Sequence, residues 1–161
     1  MLGSTAFAEG AARGGQFGIQ TAVILSGTGL SPGASLGAKY MISDNMALRA
    51  ALGIINVSSA GASTTGYDLG VGFEYHFGGK GGVSPYAGAQ LGYSGGSFST
   101  GGAAPTDFGL SGVFGAEYFF SSNFSAAGEL ALGFNSGTAG GVTTTTIGTG
   151  SAIFLLTWYI N

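Results

Sequence analysis

Hydrophobic and polar positions alternate along most of the chain with a period of two, the repeat of a β-strand, whose successive side chains point to opposite faces. The clearest run is 66–77, where Tyr67, Leu69, Val71, Phe73, Tyr75 and Phe77 share one parity and Asp68, Gly70, Gly72, Glu74 and His76 the other. The same alternation predicts strands over 16–25, 34–42, 46–55, 66–77, 86–93, 108–120 and 124–134, and a last one that ends at Ile160. In each, one face is large and apolar while the other is small or ionisable. The final strand is the least regular, with Phe154, Leu156, Trp158 and Ile160 facing a mixed set of Ser151, Ile153, Leu155, Thr157 and Tyr159.

Eight strands without a helix to cover them define an all-β chain. The expected connections are of two kinds: short turns at 43–45, 78–82 and 121–123, and longer polar loops at 26–33, 58–65, 95–106 and 135–146. Short turns at one end and long loops at the other are the habit of an eight-stranded antiparallel up-and-down transmembrane β-barrel. An even strand number then puts both ends of the chain on the short-turn side. In such a barrel the apolar parity meets lipid; in a soluble, lipocalin-like ligand-binding barrel it would line a pocket.

The placement of charge and aromatic rings favours lipid outside. Lys39, Arg49, Asp68, Glu74, His76, Glu117 and Glu129 all fall on the polar parity, leaving the apolar parity uncharged within the strands. Tyr40, Tyr75, Phe77, Tyr118, Phe120, Phe124 and Trp158 gather near the short turns, and Tyr67, Tyr93, Phe108 and Phe134 near the long loops, as two interfacial belts would. Packing so many rings inside a barrel of eight strands would overfill it.

Composition narrows the function classes. Only 7% of residues are charged, and just four are Lys or Arg. A soluble surface normally needs more charge than this, and nucleic acid has no basic patch to meet. No apolar run is long enough for a membrane helix. The absence of cysteine removes disulfides, thiol catalysis and Cys-based metal sites together. One His with scattered carboxylates makes no recognisable metal site, and the Gly-rich stretches lack the Lys-Ser/Thr of a phosphate loop, so no cofactor is expected. Ala6-Phe7-Ala8 before Glu9 reads as the end of a signal peptide remnant over residues 1–8, or as a plain Ala/Gly tail, with the barrel domain over 9–161.

The candidate site is the lumen. Pairing across the 43–45 turn sets Lys39 opposite Arg49, two like charges that require carboxylates nearby. Glu74 and Glu117 lie at similar depth and Glu129 a little further in, predicting a buried layer of Lys39, Arg49, Glu74, Glu117 and Glu129 in the turn-side half. His76, the only histidine, is expected to point inward beside the turn at 78–82, as a hydrogen-bonded structural residue or a pH sensor.

The segments Tyr40-Met41-Ile42-Ser43-Asp44-Asn45-Met46-Ala47-Leu48-Arg49, Ser84-Pro85-Tyr86-Ala87-Gly88 and Gly115-Ala116-Glu117-Tyr118-Phe119-Phe120 resemble the small outer-membrane barrels of the OmpA/OmpX-like type, over nearly the whole chain. The chain departs from that pattern in ending Ile160-Asn161 rather than on an aromatic residue. The resemblance implies the bacterial outer membrane and a structural or surface-interaction role without catalysis; no periplasmic domain is expected after the last strand, so a peptidoglycan-binding function is not implied. Three alternatives stay open: a narrow ion or proton channel gated by the charge layer, an outer-membrane lipid-modifying hydrolase using His76, and the soluble barrel. Outer-membrane lipid is the expected partner. Small outward residues at Ala87, Ala89 and Gly112 would allow a homo-oligomer or a larger envelope assembly.

Overall fold

The computed structural model describes residues 13–26, 29–59, 62–78, 81–98, 104–149 and 152–160. Residues 1–8, read above as a signal remnant, lie outside them. Among the described residues nine strands are formed: β1 (Phe17–Ser26), β2 (Gly29–Ser43), β3 (Met46–Ser59), β4 (Ala62–His76), β5 (Val83–Phe98), β6 (Thr106–Ser121), β7 (Phe124–Ala139), β8 (Val142–Thr149) and β9 (Ile153–Ile160). All pairs are antiparallel. Each strand bonds to the next from β1 to β7, β7 bonds to β9, and β9 returns to β1, which closes the ring.

The ring has eight members because β8 and β9 are two pieces of one interrupted strand. β7 pairs with β9 through Phe124–Glu129 and with β8 through Leu132–Ala139. Between the two pieces the register slips by one residue, from Phe124↔Trp158 below to Leu132↔Thr149 above. A slip of one exchanges the faces. Even-numbered residues therefore point outward on β9 and inward on β8, which is why this strand reads as irregular in the sequence.

Three of the four expected long loops are largely strand. β2 begins at Gly29, β3 and β4 run to Ser59 and from Ala62, and β7 and β8 meet at Gly140-Gly141. Their Ser/Thr-rich sequences look like loops in composition, but threonine is a good strand residue and these segments pair. Gly140 and Gly141 have φ of +57° and +81°, the two positive values a two-residue primed hairpin turn needs. β5 ends at Phe98 and β6 begins at Thr106.

The sorting of side chains is inside-out relative to a soluble protein. Leu36, Ile54, Val71, Phe114, Leu130 and Trp158 are among many large apolar side chains left exposed, while the largest buried ones are Tyr86, Tyr159, Lys39, Met41, Glu74 and Glu117. That inversion removes the soluble ligand-binding alternative, since the ring's interior holds ions rather than an apolar pocket. From Tyr67 to Phe77 the chain advances about ten residues, roughly 33 Å along a strand. At the usual tilt near 40° this is about 25 Å along the membrane normal, the height of a barrel's apolar band. On the turn side the rings touch one another: Tyr118–Phe120 at 4.8 Å, Phe120–Phe124 at 5.6 Å and Phe124–Trp158 at 6.0 Å between centroids. Tyr67 and Tyr93, 6.2 Å apart, belong to the other band.

A closed ring in lipid resists both extraction and detergent. The protein should stay in the pellet of carbonate-washed membranes and migrate differently on SDS gels before and after boiling; recovery in the soluble fraction would contradict the closed, lipid-facing ring.

Candidate functional site

The register places Lys39 on β2 directly opposite Arg49 on β3, with Glu74 on β4 opposite Ala47. Glu117 on β6 and Glu129 on β7 reach in from the other side of the ring. The five side chains form one chain of ion pairs. Lys39 Nζ lies 2.7 Å from Glu117 Oε2 and 2.7 Å from Glu74 Oε2, and Arg49 Nη1 lies 2.6 Å from Glu74 Oε1 and 2.5 Å from Glu129 Oε2. Glu74 thus sits between the two cations and separates them. Like charges on facing strands repel, and a shared carboxylate converts that repulsion into two attractions.

Three carboxylates for two cations leave negative charge in excess, and neutral donors take it up. Tyr159 and Ser125 donate their hydroxyls to Glu117 Oε1 at 2.9 and 2.5 Å, and Tyr86 donates to Glu129 Oε2 at 3.0 Å. His76 stands in the middle. Its Nδ1 is 2.9 Å from Ser84 Oγ, and its Nε2 is 3.3 Å from Glu74 Oε2 and 3.4 Å from Lys39 Nζ. Lys39 lies over the Tyr86 ring at 5.6 Å, a cation–π contact inside the layer. Glu129 Oε1 is the one buried side-chain oxygen among the described residues with no hydrogen-bond partner.

Below this layer, toward the turns, the lumen is closed by an apolar plug. Met41, Ala47, Phe119 and Tyr159 pack together, each at most about 5% exposed. They occupy the inward parity, two residues from Lys39, Arg49, Glu117 and Thr157 respectively. The turns next to them are tied across strands: the side-chain amide of Asn45 donates to the His76 carbonyl at 2.9 Å, and that of Asn123 to the Tyr159 carbonyl at 3.1 Å. Glycines make room for the phenols. A Cβ at Gly115 would come within 2.5 Å of the Tyr86 ring, and one at Gly18 within 3.1 Å of the Tyr159 ring.

Above the layer the lumen widens into a cavity of about 320 Å³ with Arg49 at its base and Asp68, Gln90, Asp107, Ser111 and Asn135 on its walls. Inward glycines at 70, 72, 92 and 109 leave this space unfilled. Asp68 is therefore apart from the five-membered layer although it shares their parity. The rings of the two belts lie outside the ring of strands and take no part in the site.

Sequence reading missed the neutral partners. Tyr86, Ser125 and Tyr159 carry the inward parity, but only three-dimensional register shows that their hydroxyls meet the glutamates. The apolar plug departs from the expectation of a small or ionisable inward face, because Met41, Phe119 and Tyr159 share the inward parity with the charges.

A sealed ring of antiparallel strands, apolar outside and ion-paired within, defines a small outer-membrane β-barrel. The chain belongs to the outer membrane protein beta-barrel domain family, whose model matches residues 2–152. Solved structures share the fold. The N-terminal β-barrel domain of Pseudomonas aeruginosa OprF aligns over 91% of this chain and 98% of its own, with a TM-score of 0.58 at 17% identity. The outer membrane protein OprG from the same organism aligns over 94% and 98%, with a TM-score of 0.54 at 14% identity. A comparison with curated protein sequences gives no match. The protein is thus an integral barrel of the bacterial outer membrane.

The geometry separates structural from idle polar residues. Tyr86→Phe leaves Glu129 with one partner fewer and should lower stability by about 1.5–3 kcal/mol, the usual worth of a hydrogen bond to a charged group. Asp68→Asn, in the open cavity, should change it by less than about 0.5 kcal/mol. Urea unfolding in lipid vesicles, followed by the fluorescence of Trp158, the sole tryptophan, measures both; equal effects would refute the distinction.

Proposed function

We propose that this protein is a non-conducting, non-catalytic barrel that serves as a structural element of the outer membrane and presents its outer hairpins at the cell surface. The observation that carries this reading is the filling of the turn-side lumen: Lys39, Glu74, Glu117, Met41, Ala47 and Tyr159 are all at most 1% exposed. Ions would have to cross both the salt-bridged layer and the apolar plug. Breaking a buried pair leaves an uncompensated charge, at a cost of about 3–5 kcal/mol. A conducting path would need several such breaks together.

Catalysis is opposed by the surroundings of His76. Ser84, His76 and Glu74 are in hydrogen-bonding sequence, the residue types of a hydrolase triad. Yet Glu74 is already shared by Lys39 and Arg49, and Ser84 and His76 are buried on the turn side, where neither lines the described lumenal cavities. A lipid ester in the outer leaflet would not reach that hydroxyl.

Purified protein in planar lipid bilayers tests the reading. The native chain should give no discrete conductance steps. Glu117→Gln, which releases Lys39 from one partner, should likewise stay closed while the plug of Met41, Ala47 and Phe119 remains. Steps in the native protein that change in size or frequency on Glu117→Gln would overturn the reading in favour of a gated channel.

A further inference from the structure

Above the charge layer the lumen holds polar side chains that the protein itself leaves unused. On the outward parity, polar groups pair with one another: Asn56 Nδ2 donates to Thr65 Oγ1 at 2.7 Å, and the hydroxyls of Thr138 and Thr143 share a hydrogen bond at 3.0 Å. On the inward parity, Asp68, Gln90, Asp107, Ser111 and Asn135 line the cavity of about 320 Å³. Among the described residues none of these five side chains makes a hydrogen bond or an ion pair. Ionisable residues that face a water-filled cavity at membrane depth, without a partner of their own, are where a barrel can receive a solute.

The strand register sets the shape of this space. Asp68 on β4 and Asp107 on β6 flank Ser94 on β5 in one row. Their carboxylates lean away from Ser94: a Cβ at Gly53 on β3 would overlap that of Asp68, and a Cβ at Gly137 on β7 would overlap that of Asp107. β3 and β7 stand four places apart in a ring of eight, so the two carboxylates face each other across the lumen. The cavity is open on one side only. Ser94, Asp107 and Asn135 also line a second cavity of about 600 Å³ between the outer ends of β4 to β8, whereas the charge layer and the apolar plug close the lumen below. The inner cavity is of a size that small-molecule sites occupy, about 300–1,000 Å³.

We propose that the outer half of the lumen is a blind binding pocket for a small hydroxylated amine, of which an aminosugar is the type. The walls decide the sign of the charge. Asp68 and Asp107 are unpaired, and the Arg49 guanidinium at the floor is held by Glu74 and Glu129. The layer beneath has three carboxylates for two basic side chains, so it offers an anion no surplus positive charge. Lipid around the ring lowers the dielectric and strengthens both the attraction of a cation and the repulsion of an anion. The uncharged walls decide the rest: Gln90, Ser94, Ser111 and Asn135 both donate and accept, which suits hydroxyl groups and leaves an alkyl amine poorly matched. One carboxylate takes the ammonium group and the opposite one accepts from hydroxyls. Because the lumen is closed below, the solute enters and leaves by the same mouth and is held rather than passed.

The test is a titration of the full chain in lipid nanodiscs with glucosamine, followed through backbone amide chemical shifts. Two relatives of the probe isolate the charge: N-acetylglucosamine keeps the ring and loses the ammonium group, and glucuronate keeps the ring and carries a carboxylate. Glucosamine should bind, with shifts confined to the residues around 68, 90, 107 and 135. N-acetylglucosamine should bind about tenfold more weakly, the worth of one charge-assisted hydrogen bond, and glucuronate not at all. Asp68→Asn and Asp107→Asn break no contact within the protein; each should weaken glucosamine about tenfold while the boiling-dependent gel mobility stays as it is. Four results would each overturn the proposal: no binding of glucosamine, equal binding of glucuronate, shifts centred on lipid-facing residues, or undiminished affinity in the variant carrying both Asp68→Asn and Asp107→Asn.

Discussion

Lys39 and Arg49 face each other on adjacent strands inside a ring of protein surrounded by lipid, and the carboxylates of the charge layer are placed around that pair. Two cations so close together in a medium of low dielectric would drive the strands apart. Glu74, two residues from the turn-side end of β4, lies within ion-pair distance of both. Glu117 and Glu129 then complete the coordination from across the lumen, linking β2 and β3 to β6 and β7. The layer therefore crosses the barrel from wall to wall, adding to hydrogen bonds that join only neighbouring strands.

The same constraint shapes the two halves of the lumen differently. Buried carboxylates need donors, and the tyrosines that supply them need space, which Gly115 and Gly18 provide by lacking a side chain where the rings lie. Toward the turns, where there is no charge left to solvate, apolar side chains fill the interior and exclude water. Toward the outside, glycine dominates the inward parity and the lumen opens. Filling on one side and emptiness on the other follow from where the charges sit.

Much of this was legible in the sequence. Strict period-two alternation gave the strands, and the sorting of charge to one parity gave the inside-out arrangement, because a lipid-facing surface tolerates no ions. The facing of Lys39 and Arg49 followed from the tight turn between them, although a one-residue shift beside that turn pairs Ser43 rather than Ile42 with Met46. What could not be read were features set by register between distant strands: the meeting of Tyr86 with Glu129, of Tyr159 and Ser125 with Glu117, and the slip between β8 and β9. In the threonine-rich segments polarity and strand propensity point in opposite directions, and the strand wins. Gly140-Gly141 between β7 and β8 is a turn signal carried by the sequence itself.

If the charge layer acts as one unit, its members cannot contribute independently. The most direct test is a double-mutant cycle on Lys39→Met and Glu117→Gln, with unfolding free energies measured in lipid vesicles. Each single change strands a buried partner, whereas the double change removes both sides of the pair. The double variant should therefore be more stable than the sum of the single losses implies, with a coupling of roughly 2 kcal/mol. Additive losses, with no coupling outside experimental error, would contradict the account.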